Sequence, residues 1–463
     1  MPGSQAWARG PDRMKERSAA PSEAPAGVRL KDWGELRSAI SGVIANRPDA
    51  SSLVEFYKAR DHAPVWVTAQ GARREAQLAL ELIKDRPGHG LEPDPRAWQA
   101  AEALLAKGEG KGRLRELATA EILISEAWSL FVQDIHRPGQ APVATDPDLP
   151  GWSKTAGEVL LEVAEAPDLA GHLRATTSIN PVYDALRAEL QRRVLSGADD
   201  GPGRGTDRAI LRRNLDRARA IQPDPQGRFV LVNIAAAELS YYDHGAERGR
   251  MRVVVGRPQT PTPEMSALIR GVAYDPYWNV PPDLVRSRIA RRMSGKARGW
   301  FSSEGFEALS GWTPDASVLT VSQIDWSAVV RGAHEVRVRQ KPGPANMLGK
   351  VKFLMPNRLG VYLHDTPAKS LMKQKVRTFS AGCVRLEDAD RLLGWLGAAR
   401  PESLRSRARE VQRELSAPVP VYLLYLTVFP GADGVRLAPD PYGLDRMQVR
   451  AAGALAGQAS GGR

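Results

Sequence analysis

The pattern of apolar residues changes near residue 200, and this change limits the possible folds more than any other feature of the chain. From Leu30 to about Leu195 apolar residues recur at helical spacing. Within this half, the run from Glu116 to Val132 is apolar on several faces, which predicts a buried central helix. Beyond Gly205 the sequence predicts a short helix from Ile210 to about Ala220, after which the apolar segments become short, β-branched and bounded by turns. Because helices precede strands instead of alternating with them, the sequence predicts an α+β fold: a helical domain, then a mixed, mostly antiparallel β domain.

Composition gives the boundaries of these domains. Both ends of the chain are rich in Ala, Gly and Ser, a composition typical of disorder, and the segment between the two halves is rich in Gly and Asp, as linkers are. The predicted segments are a disordered stretch at 1–27, a helical domain at 28–197, a linker at 198–209, a β domain at 210–449 and a disordered tail at 450–463.

Inside the β domain, residues 283–326 interrupt the strand pattern. They are basic and helical at first, then rich in Gly, Ser and Trp. Insertions in sheet domains often form lids or binding loops, so we expect a mobile capping segment. Further along, the sequence predicts a helix from Leu386 to Leu396, a second helix from about Glu402 to Glu414, and a buried strand from Val419 to Phe429.

The charge of the chain is positive but scattered. Lys and Arg number 65 against 53 Asp and Glu, which gives a net charge of +12. No block of five or six basic residues occurs, and no aromatic residues alternate with basic ones as in nucleic-acid recognition motifs. We therefore predict no nucleic-acid partner, and attribute the excess to an anionic polymer or to compositional bias.

Membrane and metal signals are absent from the sequence. Residues 1–27 lack the apolar core of a secretory signal, and no apolar run approaches membrane-spanning length, so no transmembrane segment is predicted. His62, His89, His136 and His172 show no metal-ligand spacing. We expect structural or surface roles for these histidines, and no metal site.

Cys383 is the only cysteine, so it cannot form an intrachain disulfide. A lone cysteine is most often an inert, buried apolar residue. Here it follows a small-residue turn that ends at Gly382, and the cation of Arg385 would favour its thiolate. Upstream, His364 ends a strand-like run and would activate a thiol within hydrogen-bond reach. Residue type and spacing leave two interpretations open, an inert core cysteine and a Cys/His nucleophilic pair.

The segments HDTP (364–367) and SAGCVR (380–385) together resemble a known active-site signature. In the L,D-transpeptidases with a YkuD-type catalytic domain, a histidine and a variable stretch precede Ser/Thr-x-Gly-Cys and a polar residue two positions on. Shorter phrases at 255–257 and 276–282 also resemble this family. The phrases at 56–60, 64–66, 89–93 and 362–367 resemble its large, scaffold-bearing subfamily of Gram-negative bacteria. The resemblance implies that the helical half is a scaffold domain, the β half is catalytic, and 283–326 caps the substrate.

The resemblance also implies roles for individual residues. Cys383 would be the nucleophile and His364 the general acid/base. The remaining expected site residues bind the oxyanion or substrate, or support the nucleophile loop: Gly382, Arg385, Ser380, Tyr362 and Trp278. Backbone N–H groups around Gly382 and Cys383 are the expected oxyanion donors. Ser380 would support the loop, and Arg385 would fix the loop or a substrate carboxylate.

The implied chemistry is acyl transfer between peptidoglycan stem peptides. Cys383 attacks the carbonyl of the third, diamino-acid residue of a tetrapeptide stem, the terminal D-alanine leaves, and a thioester remains. His364 takes the thiol proton and passes it to the leaving amine. An amine of a neighbouring stem then resolves the thioester, which gives a 3→3 cross-link. Neither a metal nor an organic cofactor is required, and a carbapenem is expected to acylate Cys383.

Several alternatives stay open at the level of sequence. Water as the acceptor would make the enzyme an L,D-carboxypeptidase, and a lipoprotein lysine would make it an enzyme that anchors lipoproteins to peptidoglycan. A non-enzymatic alternative is a cell-wall-binding scaffold with a relic site, although the intact set of His364, Gly382, Cys383 and Arg385 argues against it. Because the family's substrate lies outside the cytoplasmic membrane, the resemblance implies the periplasm. The sequence does not predict the oligomeric state.

Overall fold

The computed structural model of the 463-residue chain describes residues 30–47, 51–107, 113–139, 142–149, 151–196, 208–222, 227–295, 298–313, 315–402 and 409–445. The predicted terminal segments, 1–27 and 450–463, lie outside these residues, as do residues 198–207 of the predicted linker. Within the described ranges the chain divides into two units. The helical unit contains residues 30–139, 151–222 and 428–437; the sheet unit contains residues 142–149, 227–427 and 438–445. The predicted α+β fold class is confirmed.

The helical unit is built mainly from helices at the spacing expected from the sequence. They are α1 (Leu30–Ile44), α2 (Ser51–Ala59), α3 (Arg74–Lys84), α4 (Arg96–Leu105), α5 (Arg113–His136), α6 (Ala156–Glu165), α7 (Leu169–Thr176), α8 (Pro181–Leu195) and α9 (Arg208–Ala218). Two short strands, β1 (Val67–Thr68) and β2 (Gly71–Ala72), pair antiparallel. In the part of the chain that the structure describes, no helix combines the length and apolarity that crossing a membrane requires.

Helix α5 is the buried centre of this unit, as predicted for Glu116–Val132. Glu121 lies on it and is fully buried. Its carboxylate accepts hydrogen bonds from the Tyr57 hydroxyl (2.7 Å) and from the backbone N–H groups of residues 65–67 (2.7, 2.8 and 3.1 Å). A buried carboxylate is tolerated only when such donors satisfy it. These hydrogen bonds therefore hold residues 65–67, at the start of β1, against the central helix.

Two histidines of the helical unit have structural roles, as predicted. His89 is fully buried, and its Nδ1 lies 2.8 Å from the hydroxyl of Tyr183. His136 stacks on Trp152, with ring centroids 5.0 Å apart. Burial lowers the pKa of His89 to about 2 and that of His136 to about 4. Both imidazoles are therefore neutral parts of the core.

The sheet unit contains one large sheet and one small sheet. Its strands are β3 (Ala144–Thr145), β4 (Arg228–Asn233), β5 (Glu238–Asp243), β6 (Ala246–Gly256), β7 (Met265–Tyr274), β8 (Trp278–Asn279), β9 (Phe306–Leu309), β10 (Arg337–Gln340), β11 (Val351–Leu354), β12 (Leu363–His364), β13 (Thr378–Ser380), β14 (Val384–Leu386) and β15 (Val411–Leu424). The large sheet has the order β11-β12-β14-β6-β5-β4-β15-β7-β3, and β13 also pairs with β6.

The large sheet closes on itself, because β11 pairs with β7 as well as with β12. Most of its pairings are antiparallel; the parallel ones are β12–β14, β4–β15, β3–β7 and β13–β6. The side chains that point inward from these strands form one apolar cluster. Helix α14 (Ala389–Leu396) packs on this cluster, and the side chain of Asp388 caps its first turn.

The segment after α14 corrects the sequence prediction. A helix was expected from about Glu402 to Glu414, but β15 already begins at Val411 and pairs with the end of β7, where Val411 lies opposite Tyr274. Gln, Arg and Glu favour a helix by intrinsic propensity, but pairing with a neighbouring strand overrides that preference. The partner strand, β7, was not predicted at all.

Residues 278–340 form what we call the inserted module, which includes the predicted capping segment. Its three strands have the order β8-β10-β9. Its helices are α10 (Pro282–Leu284), α11 (Arg291–Ser294), α12 (Arg298–Ser303) and α13 (Trp326–Arg331), with a π-helical turn at Val285–Ala290. The module has its own apolar cluster around Phe301, Trp326 and Val338. The mobility expected of this segment stays a prediction.

The last described segment of the helical unit is a hairpin that follows β15. It consists of β16 (Val428–Gly431) and β17 (Gly434–Leu437), which pair antiparallel. Both strands contact α8. The helical unit thus receives a segment from near the C-terminal end of the sequence, while β3 of the sheet unit comes from the N-terminal half.

Candidate active site

Two adjacent parallel strands, β12 and β14, set the geometry of the site. Leu363 lies opposite Val384, and His364 lies opposite Arg385. Successive side chains of a strand point to opposite faces of the sheet. Leu363 and Val384 point into the apolar core, where both are fully buried. His364 and Arg385 therefore share the other face.

One position earlier along each strand, Tyr362 and Cys383 lie on that same outer face. The N–H of Val384 donates to the carbonyl of Tyr362 (3.0 Å), so the two chains stay paired at this level. The side chain and the backbone of Tyr362 both act on the sulfur of Cys383 and lower its pKa. The thiol itself points at the carbonyl oxygen of Gly360, 3.7 Å from the sulfur. Tyr362, Cys383, His364 and Arg385, four of the residues expected from the sequence, are thus brought together on one face.

Cys383 rests as a neutral thiol. Burial raises its pKa above the ordinary value of a cysteine. The hydrogen bonds from Tyr362 and the positive charges of Lys352 and Arg385 act in the opposite direction, because each favours the thiolate. Burial has the larger effect, so at neutral pH the proton stays on the sulfur.

His364 rests as a neutral imidazole. Its Nδ1 lies 2.5 Å from the carbonyl oxygen of Asp365, and its side chain is almost fully buried. Since a carbonyl oxygen only accepts, Nδ1 carries the proton and Nε2 is the basic nitrogen. Burial, together with the charges of Arg385 and Lys352, lowers the pKa of His364 to about 3. The side chain is therefore available as a base throughout the neutral range.

The turn before Cys383 is held by two hydroxyl groups. The backbone N–H of Gly382 donates to Oγ of Ser380 (3.1 Å), and the hydroxyl of Thr262 donates to the carbonyl of Gly382 (2.7 Å). Gly382 has a φ of +119°, in the region that only glycine adopts readily. Ser380 therefore supports the loop that carries Cys383.

This geometry changes the expectation for the oxyanion donors. The N–H of Gly382 is already occupied by Ser380. The N–H of Cys383 makes no hydrogen bond to any residue that the structure describes. Of the two expected donors, only that of Cys383 is open to a substrate oxygen.

Trp278 reaches the site through Tyr362. Its side chain acts on the Tyr362 hydroxyl and lowers the pKa of that group, while its ring lies 6.3 Å from that of Phe306, centroid to centroid. Burial raises the pKa of Tyr362 well above its ordinary value, so its hydroxyl stays protonated. The inserted module thus contributes to the site at its first strand. Direct contact between Trp278 and a substrate stays a prediction.

Arg385 faces a second arginine. Burial lowers its pKa, and so does the positive charge of Arg288 in the inserted module. Nε of Arg385 is buried without a hydrogen-bond partner among the described residues. The guanidinium is thus available to a ligand, as the sequence prediction of a substrate carboxylate requires.

Lys352 belongs to the site, although sequence reasoning gave it no role. It lies on β11 directly opposite His364, and its ammonium lies 4.0 Å from the centre of the Tyr362 ring. Burial lowers its pKa. The sequence does hold a signal for it: in Val351-Lys352-Phe353 the lysine stands between two residues that point into the core. Alternation therefore places Lys352 on the outer face, and the register of β11 against β12 places it opposite His364.

A cavity of about 610 Å³ lies between the inserted module and the start of β15. Its lining combines aromatic, amide and charged side chains: Tyr277, Asn279, Trp312, Arg339, Glu410 and Gln412. Glu410 accepts a hydrogen bond from the N–H of Tyr277 (2.7 Å), and its charge acts on Lys352. The cavity is therefore linked electrostatically to the site around Cys383.

Comparison with known proteins agrees with this architecture. The profile of the YkuD L,D-transpeptidase catalytic domain matches residues 227–420, and that of a scaffold domain matches residues 51–190. A Haemophilus influenzae protein, provisionally named an L,D-transpeptidase, is 32% identical over 412 residues, which are 85% of this chain and 78% of that protein.

Solved structures give a weaker comparison. An L,D-transpeptidase of Mycobacterium smegmatis is 15% identical, with a TM-score of 0.21, and L,D-transpeptidase 3 of Mycobacterium tuberculosis is 14% identical, with a TM-score of 0.22. The chain spans 58% and 60% of these proteins, and the matches cover 42% of the chain. The Haemophilus relative and the two domain matches confirm the resemblance found in the sequence: the chain belongs to the L,D-transpeptidase family and combines a YkuD catalytic domain with a scaffold domain.

Proposed function

We propose that this enzyme joins peptidoglycan stem peptides by 3→3 cross-links through an acyl intermediate on Cys383. The observation that carries the proposal is the shared outer face of β12 and β14, which holds a thiol, a protonated tyrosine hydroxyl and a neutral imidazole. A nucleophile near a base is what acyl transfer requires. The family acts on peptidoglycan peptides, which supports the substrate class.

The first half of the reaction is acylation. Nε2 of His364 takes the thiol proton, and the sulfur bonds to the carbonyl carbon of the third residue of a tetrapeptide stem. The carbonyl electron pair moves to the oxygen, where the N–H of Cys383 donates a hydrogen bond. The carbonyl then re-forms, the bond to the D-alanine nitrogen breaks, and His364 gives its proton to that nitrogen. D-alanine leaves, and a thioester remains.

The second half is transfer to the acceptor. The side-chain amine of a neighbouring stem attacks the thioester carbonyl and loses a proton to His364. The carbon–sulfur bond breaks, and the thiolate recovers the proton from His364. Because the donor and acceptor are joined through their third residues, the product is a 3→3 cross-link.

An assay of the reaction products identifies the acceptor. Incubation with a tetrapeptide stem and mass spectrometry should give a cross-linked dimer with loss of one D-alanine. A tripeptide as the main product would identify an L,D-carboxypeptidase instead. Transfer only to an added lipoprotein-derived lysine peptide would identify an anchoring enzyme.

We also propose that the reaction takes place in the periplasm, because peptidoglycan stems are cross-linked outside the cytoplasmic membrane. Osmotic-shock fractionation of producing cells, followed by immunodetection, should find the protein in the periplasmic fraction. Recovery with a cytoplasmic marker enzyme would contradict this assignment.

The decisive variant is Cys383→Ala. Removing a nucleophile typically costs on the order of 10⁴–10⁶ in rate, so this variant should be inactive on a stem peptide. Intact-mass spectrometry after incubation with a carbapenem should show a covalent adduct on the wild type and none on Cys383→Ala. If both proteins are folded and neither forms an adduct, the non-enzymatic cell-wall scaffold becomes the better explanation.

A further inference from the structure

Two cations lie on either side of His364 in the sheet. Lys352 is opposite His364 in the antiparallel pairing of β11 with β12, and Arg385 is opposite it in the parallel pairing of β12 with β14. Neighbouring strands are about 4.8 Å apart, so the backbones of Lys352 and Arg385 each lie about that far from the backbone of His364. Neither side chain has an ion-pair partner among the residues that the structure describes.

Other charged groups nearby do not cancel the positive charge of Lys352 and Arg385. Arg288 in the inserted module adds a third positive charge, on the side of Arg385. Glu410 acts on Lys352 from beyond ion-pair distance.

Asp365 is the acid nearest to His364 along the chain, and it is already engaged. Its carboxylate accepts from Nζ of Lys369 (2.6 Å) and from the backbone N–H of Lys350 (2.9 Å). The other polar groups on the same face, Tyr362 and Cys383, are both neutral. The row Lys352–His364–Arg385 therefore carries uncompensated positive charge.

This charge opposes the first step of catalysis. When His364 takes the thiol proton, an imidazolium forms between two cations, which is unfavourable in a buried site. A carboxylate bound between Lys352 and Arg385 would offset their positive charge and so stabilise the imidazolium. Guanidinium groups bind carboxylates by two parallel hydrogen bonds, and an ammonium adds a point charge.

We propose that Lys352 and Arg385 form a carboxylate-binding site around His364, and that the donor stem must place a carboxylate there before His364 accepts the thiol proton. This inference rests on the function proposed above. The bound carboxylate offsets the two cations, the proton moves from sulfur to Nε2, and the sulfur bonds to the carbonyl carbon. The proton later leaves with the amine of D-alanine, and the resting charge returns once the bound carboxylate has left the site.

Two carboxylates of a tetrapeptide stem belong to the residues that flank the bond that breaks. One belongs to the terminal D-alanine, beside the bond that breaks, and the other to the side chain of a carboxylated diamino acid at the third position. Three synthetic stems separate them: the natural tetrapeptide, the same peptide with a C-terminal carboxamide, and one with lysine at the third position.

The test is single-turnover acylation of Cys383, followed by intact-mass spectrometry. The stem that lacks the recognised carboxylate should acylate the wild type about 10- to 100-fold more slowly, as expected for losing a hydrogen bond between charged groups. Lys352→Met should slow the natural stem by a similar factor and reduce the difference between stems. Lys352→Arg should restore most of both. Lys31→Met, which removes an exposed lysine from the helical unit, is the matched control.

A second measurement does not depend on turnover. In Cys383→Ala, which binds stems without reacting, NMR titration of the labelled His364 ring should show a higher pKa with the natural stem than with the stem that lacks the recognised carboxylate. Equal acylation by all three stems, or an unchanged His364 titration, would overturn the inference and leave the proposed function intact. Failure of every stem to acylate the wild type would instead overturn the proposed function, and the titration would still decide the carboxylate site.

Discussion

The thiol of Cys383 and the imidazole of His364 respond in opposite ways to the same two cations. Lys352 and Arg385 favour the thiolate, but they disfavour the imidazolium. Burial disfavours the charged form of both groups. A resting thiolate–imidazolium pair, as in cysteine proteases, is therefore not expected in this site. In the resting site at neutral pH, the proton therefore stays on the sulfur.

This charge state predicts the pH dependence of alkylation at Cys383, the only cysteine of the chain. The rate with iodoacetamide should rise through an inflection above that of an ordinary thiol, about pH 8.5, because burial raises the thiol pKa. Mass-spectrometric time courses from pH 6 to pH 10 give the inflection directly. A plateau already reached at pH 7 would mean a preformed thiolate and contradict the assignment.

Tyr362→Phe provides the matched variant for this measurement. It removes only the hydroxyl, whose hydrogen bond lowers the thiol pKa. The alkylation inflection should therefore move to still higher pH. An unchanged inflection would mean that the hydroxyl does not stabilise the thiolate.

At the scale of secondary-structure elements, the parallel pairing of β12 with β14 aligns the residues of the site. Side chains alternate along each strand, so the pairing that buries Leu363 and Val384 also places His364 and Cys383 on the outer face. A shift of one residue in either strand would exchange core and site residues. The core thus fixes the register on which the chemistry depends.

In the helical unit, the carboxylate of Glu121 on helix α5 holds the neighbouring chain in place by hydrogen bonds. Glu121→Ala would leave three backbone N–H groups without their acceptor, and the Tyr57 hydroxyl with Ser125 as its remaining partner. We expect a loss of about 3 kcal/mol or more in the free energy of unfolding of this unit, measured by urea denaturation. The control is Glu116→Ala on the same helix, which removes only a surface ion pair with Lys107 and should cost less than about 1 kcal/mol. Equal losses in the two variants would show that the Glu121 network adds no stability.

Across the whole molecule, buried histidines make the fold sensitive to acid. The folded-state pKa values of His89, His136 and His364 are about 2, 4 and 3, all below the ordinary value of about 6.5. A depressed pKa means that the unfolded chain binds protons first as the pH falls. The stability that these groups contribute is complete above about pH 6.5 and is lost progressively toward the folded pKa values.

Thermal unfolding at a series of pH values tests this expectation. The melting temperature should be nearly constant from pH 8 to pH 7 and fall steadily from pH 6.5 to pH 4, as each proton is taken up on unfolding. A melting temperature that stays constant between pH 7 and pH 5 would show that these histidines are protonated in the folded state or already neutral in the unfolded chain.

The sequence correctly predicted the elements in which the local residue pattern and the tertiary contacts favour the same secondary structure. The helical spacing up to Leu195 and the short strands β4 to β6 are of this kind. The segment 411–414 was missed because its residues favour a helix, and only pairing with β7 makes it a strand. Lys352 was missed for a related reason: it becomes part of the site only through the register of β11 against β12. Cross-strand neighbours cannot be read from one segment alone.

Neither unit of this protein is encoded by one continuous stretch of sequence. Residues 142–149 belong to the sheet unit, although helical segments precede and follow them, and the hairpin 428–437 belongs to the helical unit, although β15 precedes it. A recombination event that moved one uninterrupted stretch would therefore carry an incomplete unit. An exchange of either whole unit would have to preserve all five points at which the chain passes from one unit to the other.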